Sequence, residues 1–310
     1  MAKVEGWQVA NALCFVANVV ALRKITRLDS DNEMLQSLNY FTPAPYAFVI
    51  WAVIYSFEGL FTGWQLLQSS RRASPSRVEV LKRVSPYWCA ANACQVLWCL
   101  TFRNSFDTPG LLWISAVALT GIAASLSGAH NYIIDENAEE TLFLYVPITL
   151  HFGWTTAAAL VNWNGYVARI CASASLKLVA LLVSLGLAVV LGIGVTRQRH
   201  CSVYGMTVAW ALVAVAVQTS KSTQLREEVP GAKDTASALA TLEFALGLLI
   251  VAFAVLEAAP WSYVKEDRPR LRHAALSWAP ADNSGAASPM TRARSSRSMS
   301  FWRRDSNIGM

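Results

Sequence analysis

The sequence predicts an all-α, polytopic membrane helix bundle of about eight transmembrane helices. Three observations carry this. Only 15% of the 310 residues are charged and 54% are hydrophobic, with a mean hydropathy of +0.35, whereas a soluble domain carries about 25% charged residues. Apolar runs recur from Trp7 to Glu257, each near the ~20 residues that span hydrocarbon as a helix. Polar and basic residues gather instead in the last fifty or so positions.

The expected spans are 7–23, 45–68, 86–102, 110–133, 142–163, 176–196, 203–219 and 235–257. The first contains Asn11 and Asn18, which are costly in lipid and should face protein. A polar loop over 24–44 follows. Pro43 and Pro45 then close that loop and open the second span, since proline fits the first turn of a helix. On this span Phe48, Trp51, Tyr55 and Glu58 follow at steps of three, four and three, so they share a face. The stretch 69–85 is basic with no apolar run and reads as a solvated connector or a flap.

The third span carries Trp88, Asn92, Gln95, Trp98 and Phe102 at helical spacing. The fourth is rich in small residues, which suits close helix packing. The loop 135–140 is acidic. On the fifth span Pro147 should kink the helix, and His151, Trp154, Ala158 and Asn162 continue its face. The sixth and seventh are plainer apart from Trp210, and the eighth holds Glu243. Past Pro260 the composition is that of a disordered tail. Its arginines three residues before serines suit basophilic kinases, a spacing that chance also produces in an Arg/Ser-rich tail.

Bulk charge excludes little by itself. From Lys265 onward there are nine Lys/Arg and four Asp/Glu, so the tail holds nearly all of the net +6. That favours anionic lipid headgroups rather than nucleic acid. Lys/Arg counts give seventeen on the side of the termini and nine opposite, so the termini are expected in the cytosol. No basic region followed by a small-residue cleavage site opens the chain, so no cleavable signal peptide is expected. The six cysteines form no CxxC pattern, and neither disulfides nor a zinc site is expected. There is no GxSxG, Walker loop, HExxH or paired catalytic carboxylate, so no enzyme is expected and no metal or cofactor is required.

Three helices thus share one design, aromatic rings interleaved with Asn, Gln, His or Glu. Either these rows are glue between helices, or they wall a cavity for a flat guest. Bulky rings hold backbones apart, which favours the cavity. Trp51, Trp98, Trp113, Trp154 and Trp210 lie deep and are the wall candidates. Trp7, Trp64, Trp163 and Trp261 fall near helix ends, as an interfacial belt would. Glu58, an ionisable group at mid-membrane, needs a partner. His151, the mid-helix histidine, is the candidate, with a backbone carbonyl as the alternative.

At these rows the sequence resembles the translocator protein / tryptophan-rich sensory protein (TspO/MBR) family, in its longer multi-helix branch. Phe41-Thr42-Pro43-Ala44-Pro45-Tyr46-Ala47-Phe48-Val49-Ile50-Trp51 through Tyr55 is similar to that branch's FTPAGYxFxIWxxIY signature. Gln95-Val96-Leu97-Trp98 sits where the family has Asn-x-x-Trp. Gly153-Trp154, Ala158 and Asn162 resemble the end of its last core helix, and Tyr204 to Val213 resembles the branch's late Trp-Ala-Leu-Val helix. Val49-Ile50-Trp51, Gln95 and Leu150-His151 depart from the family's Pro-Val-Trp, Asn and Pro-Tyr.

The resemblance implies a TspO-like five-helix core over 45–196. It would follow an N-terminal span and loop (1–44) and precede two further spans (197–260) and the basic Arg/Ser-rich tail (261–310). It also implies binding of a tetrapyrrole or a sterol-like ligand, with 69–85 as a lid whose arginines meet porphyrin propionates. Trp51, Tyr55, Trp98 and Trp154 would wall the site, Gln95, His151 and Asn162 would orient the guest, and Glu58 is counted with them as ligand-binding. Expected partners are membrane lipid and a small hydrophobic ligand, with a homodimer as one assembly. The competing expectations are a proton-coupled small-solute transporter using Glu58, and a scaffold acting through its basic tail.

Overall fold

Nine α-helices and no strand are found among the described residues. The structure is a computed structural model that describes residues 4–23, 39–67, 75–106, 108–135, 142–171, 173–229 and 232–258. The helices are α1 (Gly6–Leu22), α2 (Ile50–Leu67), α3 (Pro75–Thr101), α4 (Leu112–Asp135), α5 (Leu142–Ile170), α6 (Ala174–Arg199), α7 (Ser202–Lys221), the short α8 (Thr223–Glu228) and α9 (Ala232–Ala258). Pro45–Val49 forms a 3-10 turn leading into α2, with proline at its start, where a missing N–H leaves no hydrogen bond unmade.

Among the described residues six spans are long and apolar enough to cross a membrane: Pro45–Leu67, which joins that turn to α2, and those built on α4, α5, α6, α7 and α9. Of the eight expected spans, those at α1 and α3 form helices that fall outside these limits of length and hydropathy. α1 is apolar but has 17 residues, roughly 25 Å of helix, short of the ~30 Å hydrocarbon core. α3 has 27 residues but is too polar to meet the same test: Arg77, Glu79, Lys82 and Arg83 sit on its first turns, and Asn92 and Gln95 interrupt its apolar half.

α3 also overturns the reading of 69–85 as a loop. The helix starts at Pro75 and runs through Pro86. Val78, Leu81, Val84 and Ser85 are buried on it, Lys82 pairs with Glu5 ahead of α1 (3.3 Å) and Arg83 with Glu79 (2.9 Å). Residues 75–85 are therefore packed helix and not a lid; 68–74 and the tail lie outside the described residues. Apolar positions Val78, Leu81 and Val84 do follow helical spacing, but the charges between them mask it.

α5 is the hub. It packs against α2, α4, α6 and α7 and is the most buried of the six spans, whereas α6 is the least. Gly153 allows the α5–α7 approach: a Cβ there would lie 2.9 Å from Thr207 Cβ and 3.1 Å from the Tyr204 carbonyl. Arg199, at the end of α6, ties it to α4 by donating to the Ser127 carbonyl (3.2 Å) and hydroxyl (2.9 Å). Glu243 lies in the middle of α9 and is fully buried.

The segment 39–44 crosses the end of the bundle and is pinned at three points. Asn39 donates to the Val161 carbonyl of α5 (3.2 Å) and the Ala44 N–H donates to the Ala214 carbonyl of α7 (2.9 Å). The Tyr40 hydroxyl donates to Glu228 of α8, which also takes a salt bridge from Lys177 of α6 (2.9 Å). Burial, then the hydrogen bond to Glu228 and its charge, raise the Tyr40 pKa, so its hydroxyl stays a donor.

Candidate functional site

The 39–44 segment roofs a cavity of about 380 Å³, inside the range of small-molecule sites. Asn39, Phe41, Thr42 and Pro43 contribute from the roof, and Pro45 and Phe48 from the turn beyond it. Trp51 comes from α2, Trp98 from α3, and Trp154, Ala158 and Asn162 from α5. Ala188 of α6 and Ala211, Leu212 and Val215 of α7 close the far side.

Trp51 stands at the centre of the aromatic wall. Its ring stacks on Trp98 (5.8 Å between centroids, 25°) and meets Trp154 edge-on (6.1 Å, 87°). Trp98 stacks in turn on Phe102 (4.9 Å, 23°), and Phe48 meets Trp154 edge-on (5.8 Å, 85°). Large rings from three helices meeting at such angles leave a gap that small alanines on α5 and α7 do not fill.

The other site residues expected from sequence fall elsewhere. Tyr55, Glu58, Gln95 and His151 do not line this cavity. They form a buried polar group behind Trp51, which touches the His151 ring edge-on (5.5 Å, 78°). Glu58 and His151 are partners: Oε1 and Nδ1 are 2.6 Å apart, with both side chains at most 1% exposed. Glu58 Oε2 and His151 Nε2 are buried with no hydrogen-bond partner. Gln95 donates to the Tyr55 hydroxyl (3.4 Å), which donates to Asn18 of α1 (3.1 Å).

That contact opens onto a seam between α1 and the pair α2/α3. Asn18 donates to Asn92 (3.0 Å), and Asn11 donates to Gln65 and Ser85 (both 2.8 Å). The Trp88 N–H donates to the Asn11 carbonyl (3.3 Å). Here the glue reading holds, as it must where an amide in lipid has no water to turn to. Asn162, by contrast, lines the cavity while its amide oxygen accepts from Ser115 (3.0 Å) and its nitrogen donates to the Ala158 carbonyl (3.1 Å).

Two deep tryptophans leave the wall. Trp113 and Trp210 are 43% and 38% exposed and donate to the carbonyls of Gly110 and Ala47. Sequence reasoning in turn missed the roof. By sequence the FTPAP stretch is a loop and a helix start, yet the five consecutive residues from Phe41 to Pro45 include four that line the cavity. Its concentration of ring-bearing and proline residues in a loop was the available signal. Among the described residues no group of three or more His, Cys, Asp or Glu could hold a metal.

Comparison with known proteins adds one finding. A family model described as TSPO-like protein matches residues 8–256, which takes in most of α1, all of α2 through α8 and nearly all of α9. No curated protein and no solved structure matches the chain. With six apolar spans and this match over most of its length, the chain is a multi-pass integral membrane protein that belongs to the TSPO-like protein family.

Proposed function

We propose that this protein binds a flat hydrophobic molecule, of the tetrapyrrole or sterol-like kind, in the cavity beneath the 39–44 roof, and acts as a sensor or translocator of it rather than as an enzyme. One observation carries the reading: a 380 Å³ space inside a membrane bundle, walled by Trp51, Trp98 and Trp154. Indole faces stack on planar apolar guests, and the space is small enough to select by shape. Tryptophan fluorescence tests it. A porphyrin titrated into the purified protein quenches the wild type, and Trp51→Ala with Trp154→Ala weakens the quenching at least tenfold in concentration. Unchanged quenching in the double variant removes the assignment.

A second reading is favoured by the Glu58–His151 pair, whose outer oxygen and nitrogen are unpartnered. It makes the pair a proton-binding element that couples translocation to pH. It expects pH-dependent solute flux in proteoliposomes that Glu58→Gln abolishes; flux that survives that change excludes it. The cytosolic placement of the termini belongs to the same proposal and is read by accessibility of a C-terminal tag.

A further inference from the structure

The cavity passes around α5, and its two ends offer a guest different surroundings. α1, α2, α5, α4 and α3 close a ring in that order, each packed against the next and α3 against α1. α6 and α7 pack on α5 and on each other. The residues of α5 that line the cavity include Asn162, whose amide oxygen accepts from Ser115 of α4. They also include Ala157, which follows Thr156, the acceptor for the Tyr204 hydroxyl of α7 (3.3 Å). At the pitch of an α-helix, positions 157 and 162 point about 140° apart. One end of the space therefore lies inside the ring, and the other reaches the α6/α7 pair.

Inside the ring the wall is Trp51, Trp98, Phe102 and Trp154, with Asn162. The wall given by α6 and α7 is aliphatic throughout, Ala188, Ala211, Leu212 and Val215, with Ala157 of α5 beside it. That end is also narrow. Ala188, Leu212 and Val215 are each 1% exposed and Ala211 4%, whereas Ala158 and Asn162 are partly exposed. The roof is fastened over it, because the Ala44 N–H donates to the Ala214 carbonyl of α7.

We propose that this slot between α5 and the α6/α7 pair is a subsite for a short aliphatic chain, carried by a guest whose flat body lies inside the ring. The subsite presupposes that the cavity is a ligand site, and it narrows the guest to a flat ring system with an aliphatic substituent. A slot too tight for a second ring still admits a methylene chain. Lipid tails are as apolar as the slot, so the hydrophobic effect does little to move a chain out of the bilayer. The gain comes from dispersion contact with walls packed more densely than a liquid. Apolar pockets of this kind separate ligands that differ by one methylene by about tenfold or more.

The test uses the full-length protein in nanodiscs, dialysed against protein-free nanodiscs of the same lipid so that partition into the bilayer cancels. 2-Methylanthracene and 2-butylanthracene share a flat body and differ in the chain, and absorbance reads the excess of probe on the protein side. The butyl probe is expected to bind about tenfold more tightly than the methyl probe, or better. Ala211→Leu and Ala188→Leu fill the slot, and each is expected to bring that ratio down to about one. Leu212→Ala widens the slot without adding bulk. It is expected to raise the affinity of 2-hexylanthracene relative to the butyl probe by about threefold or more, which keeps the subsite testable if a leucine variant fails to fold. A wild-type ratio near one overturns the subsite and leaves the cavity reading standing. So does a chain preference that the leucine variants and Leu212→Ala all leave unchanged. No excess of either probe on the wild-type protein overturns both.

Discussion

The two sides of the α2/α3 pair both carry buried polar side chains and behave oppositely. Toward α1, amides meet amides: Asn18 with Asn92 and Tyr55, Asn11 with Gln65 and Ser85. Toward α5 and α7, rings meet rings, and the indole N–H groups of Trp98 and Trp154 meet nothing. Between them lies the Glu58–His151 pair, half satisfied. Polar residues in a lipid-embedded bundle thus serve two ends. Where every donor has an acceptor the contact joins helices; on the cavity side the contact is between rings, and two indole N–H groups are left without an acceptor.

Substitutions test that division, and the largest effect is expected at the boundary between the two sides. His151→Ala strands the Glu58 carboxyl in the interior and should destabilise the fold by about 3–5 kcal/mol, as breaking a buried pair does. Thermal unfolding in detergent reads it, and a loss under 1 kcal/mol would mean the pair does not hold α2 to α5. Gly153→Ala acts on the cavity side. Its new methyl meets Thr207 and the Tyr204 carbonyl, so overpacking of about 1–3 kcal/mol is expected, together with altered ligand affinity because Trp154 is the next residue. Stability unchanged alongside unchanged affinity would show that α5 and α7 do not meet there. The smallest effect is expected on the seam. Asn18→Leu removes two contacts that are worth about 0.6 kcal/mol each in membrane interiors, and it should leave ligand affinity unaltered. A variant that binds ligand differently would join the seam to the cavity and erase the distinction drawn above.

Much of this was legible in the chain. The all-helical membrane class followed from apolar runs of spanning length, because the bilayer constrains backbone hydrogen bonding so tightly that few folds remain. The family signature at Phe41–Tyr55 was readable, and so was the partnership of Glu58 with His151, since a mid-span carboxylate needs a partner and few candidates existed. Other features were hidden. Spacing placed Trp51, Tyr55 and Glu58 on one face, yet a face is wide enough to touch several neighbours. Trp51 reaches the cavity, Tyr55 reaches α1 and Glu58 reaches α5. The same helix position can serve wall or seam according to which helix stands opposite. Trp113 and Trp210 carried the same sequence signal as Trp154 and turned outward. The start of α3 at Pro75 was obscured by its charges, which make a good solvated helix and a poor span.

Composition and periodicity were enough to establish helices, their rough number, and the need for every buried amide or carboxyl to find company, because each of these follows from the chain's own chemistry in hydrocarbon. Which residue keeps which company depended on how the helices cross. The closeness of α5 to α7 at Gly153, the 39–44 roof tied down by Asn39, Tyr40 and Ala44, and the two indole N–H groups left unmatched are relations between segments far apart in the chain. No local pattern encodes such distances; packing sets them.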